Sequence, residues 1–260
     1  MEAAYQTRLF DRQGSRISLT DSGKLLLEHC ERILEDYKRL EYEMHLLHNE
    51  YTGGLKLGAS TTIAQYVLPP LLASFIGKFP QVNLSLLNGN SREIEAALQE
   101  HRIDLGFVEG VFRLPNIKYT TFLEDELVAV VRTGSRLTVG EEITPEELLH
   151  LPLVLRERGS GTLDVFERAL QQHNIKLSSL QVLMYLGSTE SIKLFLEHTD
   201  CLGIVSIRSI TRELYSGQLR VVEIKGMPML RDFSFAQPQG QESGLAQVFM
   251  QFAMHNNNKL

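Results

Sequence analysis

The apolar residues between Asp21 and about Glu50 recur every seven positions, in a stretch without proline and, after Gly23, without glycine. Apolar residues at heptad spacing form a stripe that packs against another helix. The pattern predicts one long linker helix over 21–51 that dimerises, although a long amphipathic helix packed on its own domain has the same pattern. The predicted dimer seam comprises Leu26, Cys30, Ile33, Tyr37, Leu40, Met44 and Leu47.

Short apolar runs alternate with amphipathic segments after Tyr51-Thr52-Gly53-Gly54, which ends the long helix. Strands that alternate with helices indicate βαβ units and a parallel sheet. Helices are predicted to begin near Thr61, Ser91, Gly161 and Thr189, and a last one covers Gln241 to His255. The predicted strands are Leu55–Gly58, Val82–Leu87, Ile103–Val108, Leu127–Val131, Leu153–Leu155, Val182–Tyr185, Leu202–Ser206 and Leu230–Ala236.

These elements fall into two series, one ending near Val108 and one beginning near Glu126. The chain crosses between them near Leu123–Leu127 and returns near Met229–Ser234. We therefore expect an α/β fold of two hinged Rossmann-like lobes over residues 52–256. Lobe I would comprise about 52–125 and 232–256, and lobe II about 126–231.

Residues 8–20 precede the long helix and combine two strand-like runs around Gln13-Gly14-Ser15. Glycine supplies the positive φ of a tight hairpin, and Thr20 lies where an N-cap belongs. Arginine side chains on such a hairpin suit contacts with DNA phosphates, which position a protein without reading bases. The candidate contacts to the DNA backbone are Arg8, Arg12 and Arg16.

The same segment carries the motif LFxRxGxxxxLTxxG, matched in register by Leu9, Phe10, Arg12, Gly14, Leu19, Thr20 and Gly23. It resembles the end of the winged helix-turn-helix of LysR-type transcriptional regulators, where the wing runs straight into a linker helix. Softer matches follow in the order that the family shows: Gly54-Leu55-Lys56-Leu57-Gly58, Ile103-Asp104-Leu105-Gly106-Phe107 and Leu202-Gly203-Ile204-Val205. The resemblance implies an effector-binding domain of the type 2 periplasmic-binding-protein kind, promoter DNA as a partner, and a homodimer or homotetramer.

Only Met1 to Thr7 precede this motif, whereas the family places its base-reading helices there. We therefore expect residues 1–20 to be the remnant of a winged helix-turn-helix, through a wrong start codon or a real truncation. Direct readout needs side chains on a helix in the major groove. Specific DNA binding by this chain is accordingly expected to be impaired.

The charge and composition of the chain disfavour several other classes of protein. The net charge of -6 disfavours diffuse nucleic-acid binding. No apolar run approaches the roughly 20 residues of a membrane span, and the N-terminus has no secretion-signal pattern, so we expect a cytoplasmic protein without a membrane partner. Cys30 and Cys201 have no metal-site or disulfide-framework spacing, and the eight histidines are scattered. Neither a metal nor a cofactor is predicted.

Three predicted strand ends are followed by small hydroxyl residues that open a helix. The free N–H groups of a helix N-terminus attract anions, although each hydroxyl is also an ordinary N-cap. Three such sites at corresponding positions of two lobes predict one ligand cleft. The strongest of the three candidate sites is the segment from Arg156 to Thr162. Its two arginines could form ion pairs with an anion, and its two glycines let the anion approach the backbone closely. The candidate effector-binding residues are Ser60, Thr61, Thr62, Glu109, Arg158, Ser160, Gly161, Thr162, Ser188 and Thr189.

The resemblance further implies a small anionic effector, a carboxylate or an oxyanion. Neither a GxSxG elbow nor a nucleotide-binding glycine motif occurs, and no catalytic constellation is recognisable, so the chain is predicted not to be an enzyme. The fold alone would also permit a stand-alone solute-binding protein. The wing and the heptad helix favour the regulator.

Overall fold

The computed structural model describes residues 1–13, 16–48, 51–111, 113–137, 140–239 and 244–256. The chain divides into two compact units, Met1–Glu50 and Tyr51–Leu260. In the part of the chain that is described, no helix is both long and apolar enough to cross a membrane.

The first unit contains a two-stranded antiparallel hairpin and a helix of 28 residues. A short helix precedes them, and its Glu2 carboxylate accepts hydrogen bonds from the backbone N–H groups of Leu9 (2.7 Å) and Phe10 (3.3 Å), which lower the pKa of Glu2. The elements are α1 (Glu2–Tyr5), β1 (Phe10–Gln13), β2 (Arg16–Leu19) and α2 (Asp21–His48).

Thr20 and Gly23 join the hairpin to α2. The Thr20 hydroxyl donates to the Arg8 carbonyl (2.6 Å) and accepts from the Gly23 N–H (3.0 Å), so Thr20 caps the helix as predicted. A Cβ on Gly23 would overlap the carbonyl oxygen of Leu9, a buried residue. Four of the seven motif residues therefore have a structural reason: Leu9 fills the junction, Leu19 packs beside Gly23, and Thr20 and Gly23 allow the backbones to meet.

In the second unit, ten of the described strands form one sheet, in which β6 is the longest and takes part in both halves. The strands are β3 (Gly53–Ser60), β4 (Val82–Gly89), β5 (Leu105–Glu109), β6 (Ile117–Arg132), β7 (Glu142–Ile143), β8 (Pro152–Arg156), β9 (Gln181–Leu186), β10 (Leu202–Ser206), β11 (Leu219–Ile224) and β12 (Leu230–Pro238). Their order is β4-β3-β5-β12-β6-β10-β8-β9, and β11 pairs with β6 and β7.

Lobe I consists of the parallel strands β4, β3 and β5 with their covering helices, and lobe II of β7 to β11 with theirs. The antiparallel strands β6 and β12 connect the two lobes. The helices of lobe I are α3 (Thr61–Tyr66), α4 (Leu68–Lys78), α5 (Ser91–Gln99) and α9 (Leu245–Asn256), and those of lobe II are α6 (Gly161–Gln172), α7 (Thr189–His198) and α8 (Thr211–Ser216).

Each lobe has its own apolar core. Every residue of the inner strands β5 and β10 is buried, which explains why these segments are continuous apolar runs without alternation. The core of lobe I is aromatic, with ring centroids 4.7–6.3 Å apart in the contacting pairs among Phe75, Phe79, Phe107, Phe122, Phe235, Phe249 and Phe252. In lobe II, one cluster of aliphatic residues packs around Phe166.

The predicted strands and most of the helices are present, with two differences. β6 begins at Ile117, ten residues before the predicted strand, because its first half has no regular alternation of buried and exposed positions and is defined by its pairing with β12. β7, β11 and α8 were not predicted at all; none of the α8 residues is buried, so the sequence carries no apolar periodicity there. The helix predicted over Thr61–Lys78, with a kink or restart at Pro69-Pro70, is two helices that divide at Val67, just ahead of the prolines.

Cys201 lies in the second apolar cluster of lobe II, between α7 and β10, and is fully buried. Burial raises the pKa of its thiol to about 11, so the reactive thiolate is scarce at neutral pH. We expect Cys201 to be inert to a thiol reagent in the folded protein and reactive after unfolding. Titration of native and urea-unfolded Cys30→Ser protein with Ellman's reagent measures this directly, and rapid labelling of the native variant would contradict it.

Candidate functional site

The two lobes meet around the buried guanidinium of Arg231, on the returning strand β12. Its Nε donates to Asp125 Oδ2 (2.7 Å), and its Nη1 donates to Thr162 Oγ1 (3.0 Å) and lies 3.4 Å from Glu109 Oε1. The side chain is 1% exposed and lies over the Phe233 ring, 5.0 Å from its centroid. Arg231 thus joins one residue of β6, one of β5 and one of α6.

Two further hydroxyls complete this network. Ser60, the last residue of β3, donates to the Glu109 carboxylate, and Ser206, the last residue of β10, donates to Asp125 Oδ1 (2.7 Å). Both serines and both carboxylates are buried. Because a buried charge is costly unless it is paired, each member holds its neighbours in place.

The structure therefore brings the predicted residues Ser60, Glu109 and Thr162 together, but inside the protein and not on the wall of an open cleft. Ser60 does not cap α3 with its side chain, because its hydroxyl is committed to Glu109. Nearby, Ser160 caps α6 by accepting from the Thr162 N–H (3.2 Å). Gly161 lies directly against the backbone of Glu109, where a Cβ would overlap the carbonyl oxygen.

An open cavity of about 280 Å³ lies between the lobes, and we call it the interlobe cleft. Of the ten predicted effector-binding residues, Thr61 and Ser188 line it, whereas the buried Thr62 and Thr189 do not. Ser188 also caps α7, accepting from the Ser191 N–H (3.1 Å). The lining residues are Thr61, Gln65, Asn88, Gly89, Asn90, Glu93, Glu157, Gly187 and Ser188.

Asn88 to Asn90 were missed from the sequence, although the signal was present. Asn88 and Gly89 end β4, and Asn90 is the N-cap of α5, where it forms a reciprocal capping box with Glu93 (3.0 and 2.8 Å). The three predicted loops, which contain Ser60, Ser160 and Ser188, have the same arrangement of a strand end followed by a helix N-terminus. The loop at Asn90 differs from the other three only in its cap, which is an amide side chain and not a hydroxyl.

Arg156 is buried behind the cleft wall, where its guanidinium contacts the lining residues Thr61, Glu157 and Gly187. The predicted Arg158 is exposed. The Arg156 guanidinium is paired bidentately with Glu157, Nε to Oε2 at 2.9 Å and Nη2 to Oε1 at 3.1 Å. Nη2 also reaches Thr61 Oγ1 (3.4 Å) and the Gly187 carbonyl (3.3 Å). Its Nη1 is buried and has no hydrogen-bond partner among the described residues.

A second polar contact joins the lobes at Tyr66 of α3. Its hydroxyl donates to Glu190 of α7, and the buried Lys193 ammonium lies 2.8 Å from Glu190, 2.8 Å from Glu213 and 5.3 Å from the Tyr66 ring centroid. Burial raises the pKa of Glu190, but hydrogen bonds from Lys193 and Tyr66 outweigh it and leave that pKa below its ordinary value. Burial and Glu190 together raise the pKa of Tyr66.

The second cavity, of about 420 Å³, borders the strands that connect the lobes, and we call it the hinge cavity. Its wall carries three arginines, three carboxylates and two aliphatic side chains. They are Gly110, Val111, Arg113, Glu124, Asp125, Arg168, Leu230, Arg231 and Asp232.

In the first unit, Arg8 precedes β1, while the side chains of Arg12 and Arg16 and the whole of Gly14 lie outside the described residues. Along α2, Ile33, Leu40 and Met44 are 66%, 55% and 52% exposed, and Tyr37 is also exposed. Leu26 and Cys30 are half-buried, and the Leu47 side chain is not described.

Two α/β lobes joined by two strands, with a polar cleft between them, define a ligand-binding domain of the periplasmic-binding-protein kind. The family model of the LysR substrate binding domain matches residues 48–257. The chain therefore belongs to the LysR family of transcriptional regulators, as the wing motif indicated, and its relatives are regulators and not enzymes.

Individual relatives agree. The chain is 34% identical over 224 residues to the HTH-type transcriptional regulator YeiE of Escherichia coli K12, covering 86% of this chain and 74% of that protein. It is 30% identical over 245 residues to the RuBisCO operon transcriptional regulator of Acidithiobacillus ferrooxidans, covering 94% and 78%. Among solved structures, the regulatory domain of Synechocystis CcmR in complex with 2-PG superposes with a TM-score of 0.71 at 27% identity, covering 78% of this chain and 97% of that one.

The contact of Gly161 with Glu109 makes a stability prediction. Gly161→Ala places a methyl group against a backbone carbonyl that cannot move without disturbing β5, so we expect a loss of about 1–3 kcal/mol in the free energy of unfolding. Urea unfolding followed by circular dichroism measures it.

Gly77→Ala is the matched control, because a Cβ there meets nothing within 4 Å and the residue lies in α4. Its stability should be unchanged or raised by up to about 1 kcal/mol. Equal stability of the two variants would show that the lobes do not depend on this close approach.

Proposed function

We propose that this regulator senses a small anion, a carboxylate or an oxyanion, in its interlobe cleft, and that the bound anion changes the angle between the lobes. It would act in the cytoplasm on promoter DNA. In this proposal residues 1–20 contribute the wing, 21–51 the linker helix and 52–256 the effector-binding domain. Arg8, Arg12 and Arg16 are proposed to contact DNA phosphates.

The observation that carries the proposal is the unpartnered donor of Arg156. A buried guanidinium N–H without an acceptor is costly, and a carboxylate or oxyanion satisfies it with a charge-assisted hydrogen bond. The N-terminal ends of α3 and α7 border the same cleft through Thr61 and Ser188, and each adds partial positive charge. The complex of the CcmR domain with 2-PG supports a small anion as the class of ligand.

Glu157 opposes the anion in this proposal. Its carboxylate already pairs with Arg156, and its side chain is 27% exposed where it borders the cleft. An incoming anion must share or displace that partner, because like charges close to one guanidinium repel each other. The Arg156–Glu157 pair therefore sets the affinity and excludes weak anions.

Substitutions at the two partners should act in opposite directions. Arg156→Met is expected to weaken binding of 2-PG, sulfate or phosphate, whichever binds most tightly, by about ten-fold or more. Glu157→Gln should strengthen binding of the same anion by about ten-fold, because it removes the competing charge. Isothermal titration calorimetry measures both.

Glu100→Gln removes the same charge from the far end of α5, where the carboxylate pairs with Arg102, and should leave the affinity unchanged. Weaker binding in Glu157→Gln would mean that Glu157 contacts the ligand and does not compete with it. If none of these anions binds the unaltered chain, the anionic effector is the wrong class.

We further propose that the exposed apolar side chains of α2 form a seam with a second copy of the chain, giving a homodimer or homotetramer. Ile33, Leu40 and Met44 are spaced four and seven residues apart, so they lie along one side of the helix. Leu26, Cys30, Tyr37 and Leu47 extend the same heptad positions. Burial of this stripe supplies the apolar contact that an isolated helix about 42 Å long lacks.

Ile33→Asp combined with Leu40→Asp should abolish this association, because both carboxylates would be buried in the seam. Sedimentation velocity at micromolar concentration should then show a fall in mass. Lys24→Asp makes the same change in net charge on the face of the helix opposite Ile33. This control variant should keep the mass of the unaltered protein. An unchanged mass in the double variant would assign the oligomer to other surfaces.

A further inference from the structure

The hinge cavity has a wall that is distinct from that of the interlobe cleft: no residue lines both. It is also the larger of the two, at about 420 Å³. Its wall is formed by the loop after β5, the two connecting strands β6 and β12, and Arg168 of α6. A molecule in this cavity would touch both lobes and both connections between them.

A built polar group borders this cavity. Arg231 is nine-tenths buried, and its Nη2 has no hydrogen-bond partner among the described residues although Nε and Nη1 are both engaged. Arg113 is oriented by its contacts with Ser234 Oγ (3.1 Å) and with the Tyr119 ring, 4.4 Å from its centroid. Arg168 is exposed on the same wall.

The charges of the wall cancel. Arg113, Arg168 and Arg231 are matched in number by Glu124, Asp125 and Asp232, while Val111 and Leu230 add an apolar surface. A simple anion would meet the three carboxylates, and a simple cation the three arginines, so either is opposed by like charges. A molecule that carries both charges a few ångströms apart can pair with both sets at once.

We propose that the hinge cavity is a second ligand site, and that it takes the zwitterion of a free α-amino acid. The α-carboxylate pairs with the arginines, Arg231 and Arg168 first. The α-ammonium pairs with Asp232 or Glu124, and the side chain lies along Val111 and Leu230. This site is independent of the anion proposed for the interlobe cleft.

Isothermal titration of the 260-residue chain with the twenty L-amino acids tests this class of ligand. At least one should bind, and for the tightest we compare its deaminated acid and its decarboxylated amine. Each analogue loses one charged pairing and should bind at least about ten-fold more weakly. The proposal is overturned if none of the twenty binds, or if either analogue binds as well as the amino acid.

Variants then locate the site. Arg168→Gln and Asp232→Asn change cavity residues outside the apolar core. Each should weaken binding of the amino acid at least about ten-fold and leave the thermal unfolding temperature unchanged. Arg102→Gln, an exposed arginine of lobe I away from the cavity, is the matched control. The cleft variant Glu157→Gln should retain full affinity for the amino acid. A loss in Glu157→Gln with none in Arg168→Gln would place the amino acid in the interlobe cleft and refute the hinge site.

Discussion

The contact between the Arg231 guanidinium and the carboxylates of Asp125 and Glu109 holds the second unit together. It lies where β12 returns to lobe I, and it links this strand to β5, β6 and the first turn of α6. All three charged groups are buried, so removing one of them leaves an uncompensated charge in the interior. The lobes are therefore joined by this polar contact as well as by β6 and β12, while each lobe keeps its own apolar core.

The same network lies close to both cavities. Arg231 borders the hinge cavity, and its partner Glu109 accepts a hydrogen bond from Ser60, which immediately precedes the cleft residue Thr61. Tyr66, Glu190 and Lys193 provide a second polar contact between α3 and α7. A change of the angle between the lobes must alter these few hydrogen bonds, because hinge motions concentrate at the elements that connect two rigid cores.

The sequence predicted the family, the order of strands and helices and the two-lobed fold, because each depends on local pattern. The wing motif can be recognised from the sequence because its residue types are required locally: Thr20 caps a helix and Gly23 contacts Leu9. β5 and β10 are legible because continuous apolar runs mark inner parallel strands. By contrast, α8 buries no residue and the first half of β6 is held by pairing with β12, more than 100 residues away.

For the candidate site, the sequence predicted which loops take part but not which of their residues line the cleft. Four helix N-termini, those of α3, α5, α6 and α7, lie near the boundary between the lobes, and the sequence identified all but that of α5. It did not show which side chains point into the cleft. Ser60, Glu109 and Thr162 turn inward to Arg231, and Arg156, not Arg158, carries the unpartnered donor. Residue type and local spacing thus determined which segments meet. Which polar groups became internal partners was decided by the tertiary structure, because a buried charge takes whichever partner the fold brings within reach.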